Sequence, residues 1–438
     1  MQIAEENKER IKQLILWFLI VVIMYGMTLL KLPLLFTNIF FVGTTSVCLY
    51  NIWKKNSESK IETILIVLGF ALRIFVCLLD IYGTELLTVP FSGDDSVNFY
   101  NTSVEYFNGD FSRIYTKYPY VINAIYQIAG LNRFAAQYVN ILCWGFCALI
   151  MQKACTLLKI EKILRIIAIG LLAFMPFHIC ISSILMRDML VAFSIMLTTY
   201  LIMKWMKDGK YLYLLVGVLI SASAMLLHNC TLAVLAVLAI IAAFYSPGKE
   251  KFCIEKKGIA ICILGFVGVA VLVLVPSVRN VVLSQFPSVE DGIFAAINGR
   301  LKYFYTNTGG STYLLDVYVN NYWDLIVGTL LRMGYFLFSP VPWMWRGLSD
   351  IAGFIMSVSA VIVSLAMTII SFIYKKKDSF RTLLIATIFF VSGIFAWAVS
   401  NGGTALRHRE KLLGVLILLG VYSVQIIINA RREGKNAQ

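Results

Sequence analysis

Charged residues are scarce in this chain of 438 residues. They make up 14% of the sequence, against 59% hydrophobic residues, and the mean hydropathy is +0.80. So little polar surface cannot cover a water-soluble globule of this size. Lipid is therefore the expected solvent for most of the chain.

The sequence also lacks the patterns that indicate a metal centre or a disulfide framework. Its nine cysteines occur singly and mostly inside apolar runs, without a CxxC pair and without histidine at zinc-binding spacing. We interpret them as small interior residues. The first apolar run lacks a small-residue cleavage site and is read as a retained anchor. With no internal repeat, low-complexity tract or soluble domain, we predict a single integral membrane domain over residues 1–438.

Uncharged apolar stretches of about 18 to 22 residues recur along the whole length, which is the length a helix needs to cross a bilayer. The runs 259–276 and 351–374 are continuously apolar. Transmembrane strands would instead alternate over about ten residues. The sequence therefore predicts an all-α, polytopic transmembrane helical bundle.

Basic residues set the predicted topology. The net charge is +14, and Lys and Arg gather in short tufts between apolar runs, as cytoplasmic loops do. Counting outward from Lys8, Arg10 and Lys12 places both termini in the cytoplasm. We predict about twelve spans, near residues 13–30, 32–53, 61–81, 134–151, 166–177, 190–206, 211–227, 231–245, 259–275, 351–374, 382–400 and 412–430.

Residues 324–346 interrupt this alternation. Their apolar length allows one span, but a full crossing would put Lys375, Lys376 and Lys377 on the wrong side. We therefore predict a re-entrant or broken helix around Pro340 and Pro342, which requires protein or a water-filled cavity around the freed backbone groups. The alternative is an extra span with shifted partners.

An acidic pair lies in the first long outer segment, residues 82–118. Asp94 and Asp95 follow a glycine, and a carboxylate at a membrane surface is a natural general base. The alternative is an ordinary solvated loop. Residues 115–128 read as an amphipathic helix at the interface, with Tyr118 and Tyr126 among its belt residues.

A second polar group stands at the outer start of a span. Arg187 can bind a phosphate through its planar guanidinium, with Asp188 as a supporting residue, or the two can form a structural pair. His228, at another outer helix end, is a further supporting candidate. A structural role is equally open for this histidine.

The third group is the outer loop 401–411. Arg407, His408 and Arg409 follow a Gly-Gly pair on the side of the membrane where uncompensated basic residues are disfavoured. A turn of this kind with two guanidinium groups suits a phosphate or diphosphate. The alternative is a snorkelling anchor for the next span. A further outer loop, 277–322, is rich in glycine and aromatic residues and gives only a weak sugar-site signal.

With these groups the chain resembles the polytopic GT-C-type glycosyltransferases that use polyprenyl-phosphate-linked sugars, and the related bacterial O-antigen and capsular polysaccharide polymerases. The resemblance is carried by short stretches across most of the chain: Gly93-Asp94-Asp95, 183–188, Ser339-Pro340-Val341-Pro342-Trp343 and 403–409. It implies that Asp94 or Asp95 is the base and that Arg187, Arg407 and Arg409 hold the lipid phosphate, with Tyr118 in support. Three spans precede the acidic pair, two more than the single span of that class, and no large soluble domain follows the last span. Both features depart from that class.

The expected function is glycosyl transfer at the outer face of a bacterial inner membrane, from a polyprenyl-linked donor to a saccharide acceptor. It covers either single-sugar transfer or polymerisation of repeat units. The expected partners are the lipid-linked saccharide, the bilayer, the acceptor and other membrane proteins of polysaccharide assembly, with no nucleic acid, no cofactor and no metal. The competing hypotheses are a lipid-linked oligosaccharide flippase, in which the same arginines bind the phosphate during translocation, and a structural scaffold.

Overall fold

A computed structural model describes residues 2–113, 116–254 and 311–436, together with positions 256, 258–260, 294–295, 297–299 and 301. Nearly all of the described chain is helical, and one short β hairpin joins β1 (Tyr245–Ser246) to β2 (Lys251–Phe252). The all-α class is confirmed. The helices divide between two compact units.

Unit 1 comprises Met1–Lys153 and Arg165–Leu190. Two of its helices, α4 and α5, lie in and after the predicted outer segment. Its helices are α1 (Gln2–Leu29), α2 (Leu34–Asn56), α3 (Lys60–Tyr82), α4 (Asp94–Phe107), α5 (Tyr118–Ala129), α6 (Arg133–Leu157), α7 (Lys162–Phe174) and α8 (Pro176–Ser183).

Unit 2 comprises Ala154–Leu164 and Val191–Gln438. Helix α9 begins at the end of unit 1 and continues into unit 2. The remaining helices are α9 (Asp188–Asp208), α10 (Leu212–Met225), α11 (Thr231–Phe244), α12 (Tyr322–Phe338), α13 (Leu348–Tyr374, with a π-helical turn at Phe354–Val358), α14 (Ser379–Ala398), α15 (Gly402–Arg409) and α16 (Leu413–Asn436).

Eight of the described helices are long and apolar enough to cross a membrane, or nine if the bent pair α7 and α8 forms one span. Helices α10 and α11 are apolar but shorter. The chain is therefore a helical membrane protein. The predicted number of about twelve spans stays a prediction, and most of the predicted span 259–275 lies outside the described residues.

A buried arginine stabilises the bend between α7 and α8. The two helices meet at 55° around Pro176, which has no backbone N–H to continue the helix. Arg73 of α3 donates to the carbonyls of Leu172 and Ala173 at 3.2 and 2.8 Å, and its Nε donates to Ser182 Oγ at 2.8 Å. The side chain thus supplies hydrogen bonds that the interrupted helix does not provide.

Helix α12 ends where the sequence predicts a break. It runs to Phe338 and is followed by a cis Ser339–Pro340 bond and a short 3-10 turn at Pro342–Met344. Proline ends a helix because it lacks the N–H donor. Helix α12 therefore ends within 324–346, and the re-entrant or broken helix stays a prediction.

Two local expectations need correction. The predicted outer loop 401–411 is mostly helix α15, because Asn401 caps it and accepts hydrogen bonds from Gly403 N and Thr404 N. A helix does occur near 115–128, as α5, but Tyr118 and Tyr126 are buried within unit 1 instead of forming an interfacial belt. Their rings face the packed side of the amphipathic helix. The spacing of the aromatic residues along the sequence does not show which side of the helix packs against protein.

Candidate functional site

The predicted site residues divide between the two units. Unit 1 contains Asp94, Asp95, Tyr118, Arg187 and Asp188, and unit 2 contains His228, Arg407, His408 and Arg409. Each group is described within its own unit.

In unit 1 the acidic pair forms the first turn of α4. Asp94 is exposed and Asp95 is half-buried. Carboxylates are favoured at this end of a helix because of its positive dipole and free N–H groups. The acidic pair therefore has a structural reason to begin a helix here, and Asp94 remains open to a solvent-borne or interfacial substrate.

Phe99 links the acidic turn to Arg187. Phe99 follows Asp95 by four residues, so both side chains lie on one face of α4. The Arg187 guanidinium lies 5.8 Å from the centre of the Phe99 ring, within the range of a cation–π contact. The half-buried carboxylate and the half-buried cation are thus placed along the same helix face.

Tyr118 and Asn140 hold the segment that precedes Arg187. The buried Tyr118 ring packs edge-on against Phe99, with the ring centres 5.0 Å apart. Burial raises the pKa of Tyr118 above its ordinary value, although a hydrogen bond with Asn140 opposes this. Asn140 Nδ2 donates to the carbonyls of Ile184 and Met186, both at 2.8 Å. These contacts fix the backbone that presents Arg187.

Asp188 lies beyond this segment, buried in the first turn of α9. A carboxylate there is favoured by the helix dipole. Asp188 is buried and Asp94 is exposed, so Asp94 is the more accessible of the two carboxylates.

Sequence reasoning missed an ion pair in the same unit. Arg133 Nη2 donates to Asp80 Oδ2 at 3.0 Å, and Gln137 Nε2 donates to the same oxygen at 2.6 Å. The Arg133 guanidinium also lies 5.4 Å from the Tyr100 ring centre of α4. The sequence does contain a signal for this ion pair, because Asp80 lies at the outer end of one predicted span and Arg133 at the outer start of the next.

In unit 2 the basic residues belong to α15 and the turn after it. Arg407 is half-buried, whereas His408 and Lys411 are buried. Lys411 Nζ lies 2.6 Å from His408 Nδ1. The His408 ring stacks on Phe395 with the ring centres 4.7 Å apart.

His228 joins this cluster. Its ring centre lies 5.2 Å from that of His408 and 5.3 Å from that of Phe395. Its Nδ1 accepts from Cys230 N at 3.3 Å, which fixes the ring at the start of α11. The structure therefore brings His228 next to His408, whereas the sequence groups His228 with Arg187 and Asp188.

Arg409 is buried and holds the broken end of α12. Its Nη1 donates to the carbonyls of Phe336, Leu337 and Ser339 at 3.1, 3.1 and 2.8 Å. Its Nε donates to Ser357 Oγ at 3.1 Å, and that hydroxyl donates to Glu410 Oε1 at 2.8 Å. Most of the guanidinium thus serves the fold, and only Nη2 has no partner among the described residues.

Two further residues lie near Arg409 and were not predicted as site residues. Arg332 of α12 donates through Nη1 to Ser400 Oγ at 3.1 Å and through Nη2 to the carbonyl of Leu314. Tyr313 N donates to the carbonyl of Ser400 at 2.9 Å. Residues 311–313 therefore run beside the start of α15, a long-range pairing that the sequence pattern did not indicate.

Within the described ranges, no group of three or more His, Cys, Asp and Glu side chains has the arrangement of a metal site. Comparison with known proteins finds no match: no family model, no curated protein and no solved structure is significantly similar to the chain.

Proposed function

We propose that the protein is a membrane glycosyltransferase that moves a glycosyl unit from a polyprenyl phosphate or diphosphate to a saccharide acceptor at the outer face of a bacterial inner membrane. Its place is in the assembly of a cell-surface polysaccharide such as an O-antigen or capsule. The observation that supports it best is that Asp95 and Phe99 share one face of α4 and that the Arg187 guanidinium lies 5.8 Å from the Phe99 ring centre. A carboxylate can act as the base and a guanidinium can stabilise the leaving phosphate in this reaction.

The chemistry needs a base and a cation. Asp94 or Asp95 takes the proton from an acceptor hydroxyl while that oxygen attacks the anomeric carbon. The bond between that carbon and the phosphate oxygen breaks, and the lipid phosphate leaves with the electron pair. Arg187 stabilises the negative charge that grows on the leaving oxygen. The Phe99 ring supports the guanidinium and offers an apolar surface beside it.

The basic groups of unit 2 form a candidate phosphate-binding group within that unit. Arg407 is half-buried at the end of a short capped helix, next to the buried pair His408 and Lys411. The buried Arg409 contributes through Nη2, the one guanidinium nitrogen that has no hydrogen-bond partner among the described residues. His228 positions His408 through their ring contact. In this assignment, Arg407 makes the most accessible phosphate contact.

The proposed topology has about twelve spans, cytoplasmic termini and a re-entrant 324–346 segment. In this arrangement the acidic pair and the basic helix α15 both face outward. The break after Phe338 and the basic residues Lys375 to Lys377 after α13 support this arrangement.

The test is transfer of sugar from a polyprenyl-linked donor by the purified protein. Asp94→Asn and Asp95→Asn together should lower kcat at least about 100-fold, because the acceptor loses its base. Arg187→Gln should lower it by a similar factor. The matched controls are Asp110→Asn and Arg113→Gln, exposed residues of the same outer segment, which should retain activity. Full activity in the double aspartate variant refutes this site.

A flippase predicts a different outcome. In sealed vesicles, a flippase moves a labelled lipid-linked saccharide between leaflets without forming a new glycosidic bond. The transferase forms that bond and releases the lipid phosphate. Translocation without transfer would replace the proposed function. Arg73, a mid-span cation that such a role could use, has its hydrogen bonds taken by carbonyls and Ser182.

A further inference from the structure

Three buried hydrogen-bond donors of unit 2 have no partner among the residues that the structure describes. They are Tyr313 Oη, Arg332 Nε and Arg409 Nη2. The three residues are only 4%, 0% and 1% exposed. Buried polar groups in folded proteins are almost always hydrogen-bonded, and an unmet donor on a cation is especially unfavourable. A group of three such donors therefore calls for a ligand.

Arg332 is fixed beside Tyr313 by the backbone. Its two terminal nitrogens donate to Ser400 and Leu314, which leaves only Nε. Tyr313 is bonded to the same Ser400 through its own backbone N–H. The guanidinium also lies 4.8 Å from the ring centre of Trp397, which limits its movement.

Arg409 is held at the part of α12 against which the Tyr313 ring packs. Its Nη1 is held at the carbonyl of Phe336, and the Tyr313 ring stacks at 5.2 Å on Tyr335, the preceding residue. Burial raises the pKa of Tyr313, and the charges of both Arg332 and Arg409 act in the opposite direction. Tyr313 thus shares Ser400 with Arg332. It also packs on Tyr335, whose next residue, Phe336, binds Arg409.

The local charge is positive. In the described part of the chain, neither Arg332 nor Arg409 forms a salt bridge, and Glu410 supplies a single nearby negative charge. Two buried guanidinium groups with one carboxylate leave an excess cation inside a membrane protein. An anionic ligand would neutralise it.

We propose that Tyr313, Arg332 and Arg409 form a binding site for a phosphate group. A tetrahedral phosphate can offer a separate oxygen to each of the three donors, whereas a carboxylate would have to accept from two of them on one oxygen and within one plane. The site exists whatever reaction the protein performs. Its assignment to the phosphate of the lipid carrier, as distinct from free phosphate or diphosphate, rests on the proposed function.

The test measures binding to the full chain in detergent or nanodiscs by titration calorimetry at constant ionic strength. The probes are inorganic diphosphate, farnesyl diphosphate and sodium glucuronate. We expect saturable binding of the diphosphates and much weaker binding of glucuronate. Tighter binding of the farnesyl probe identifies a lipid headgroup as the source, and tighter binding of the inorganic probe identifies free diphosphate. Glucuronate binding as tightly as diphosphate overturns the phosphate assignment.

Tyr313→Phe is the decisive variant because it removes a single donor and keeps the stacked ring. It should weaken diphosphate binding about 5- to 10-fold. Without ligand, the thermal midpoint of this variant should equal or exceed that of the wild type, because the Tyr313 hydroxyl makes no hydrogen bond within the described part of the chain that the change would remove. Tyr335→Phe, which removes a hydroxyl from the neighbouring stacked ring, is the matched control and should leave affinity unchanged. Arg332→Lys, which retains the charge but not the guanidinium Nε, should weaken binding about 10-fold.

Unchanged affinity in Tyr313→Phe, or a clear loss of its stability without ligand, overturns the site. The two proposals fail separately. If the diphosphate binds with these variant effects while no sugar is transferred, the phosphate site stands and the transferase function falls. If transfer is normal and the probes do not bind, the function stands and this site falls.

Discussion

At the residue scale, buried arginines mark the places where helices are interrupted. Arg73 serves the break between α7 and α8, and Arg409 serves the end of α12 before Pro340. Proline removes donors at both breaks, so carbonyls are left without intrahelical partners. A guanidinium can satisfy several of them at once because it has five N–H groups.

Replacing Arg73 by methionine should destabilise the protein. The change leaves the carbonyls of Leu172 and Ala173 without a donor and removes the cation from its contact 3.8 Å above the Trp144 ring. We expect a loss of about 2–4 kcal/mol, measured as a lower thermal midpoint in detergent. Arg113→Met, at an exposed position, should shift the midpoint little. An equal midpoint for both variants would contradict the assigned role.

At the element scale, close helix contacts depend on small residues. Gly69 of α3 packs against α7 so closely that an added Cβ would lie 2.8 Å from Ala173 Cβ and 3.2 Å from Ala173 Cα. Small residues allow such approach between membrane helices. The same glycine presents its carbonyl to Arg73 Nη1 at 2.9 Å. The contact and the hydrogen bond therefore depend on the same backbone position.

Gly69→Ala should separate α3 from α7 and lower stability by about 1–3 kcal/mol, because the clash involves backbone that cannot rotate away. This loss of stability is measured by heating the protein and recording the fraction that remains monodisperse. Gly43→Ala in α2 is the control, since nothing lies within 4 Å of its added Cβ. Alanine also favours helix there, so the control should be neutral or stabilising. Equal effects of the two changes would rule out the packing explanation.

Asp378 caps α14 and ties it to α16. Its Oδ1 accepts from Arg381 N at 2.9 Å, its Oδ2 accepts from Lys375 Nζ at 2.7 Å, and Tyr422 Oη donates to it. Burial alone would raise the pKa of Asp378, but these hydrogen bonds outweigh it, and the pKa lies below the ordinary aspartate value. The ionised cap is therefore favoured in the folded protein.

The consequence is a defined pH dependence. Because the folded pKa is lowered, the stabilisation is complete above the unfolded aspartate pKa of about 3.9 and fades as pH falls through the folded value. At pH 7, Asp378→Asn should cost about 1–2 kcal/mol. The difference in thermal midpoint from the wild type should shrink below about pH 4. Asp208→Asn, in a partly exposed pair with Lys204, should have little effect at either pH. A difference that persists undiminished at low pH would contradict this account.

At the scale of the whole molecule, the central prediction is the side of the membrane that each loop occupies. Cysteines introduced at Val97 of α4 and Thr404 of α15, both exposed, should react with a membrane-impermeant maleimide in intact cells. A cysteine at Lys376 should react only after permeabilisation, because the basic residues around it predict a cytoplasmic loop. The unmodified protein gives the background labelling of the native cysteines. Labelling of Thr404 only after permeabilisation would mean that 324–346 crosses fully.

The sequence alone determined the class of the protein. Scarce charge, long apolar runs and basic tufts are properties of composition and order, and lipid imposes them on any helical membrane protein. The break at Pro340 was also predictable because proline acts locally on its own helix. The acidic pair and the basic stretch could be found for the same reason, since each is contiguous in the chain.

Only the tertiary structure decided what the individual polar residues contact. Arg407 and Arg409 look alike in sequence, but burial against the α12 carbonyls gives Arg409 a structural task, while Arg407 stays half-buried. Tyr313 and Arg332 are 19 positions apart and become neighbours only because residues 311–313 pair with the start of α15. Burial and long-range pairing depend on the packing of distant segments, and no local pattern encodes them.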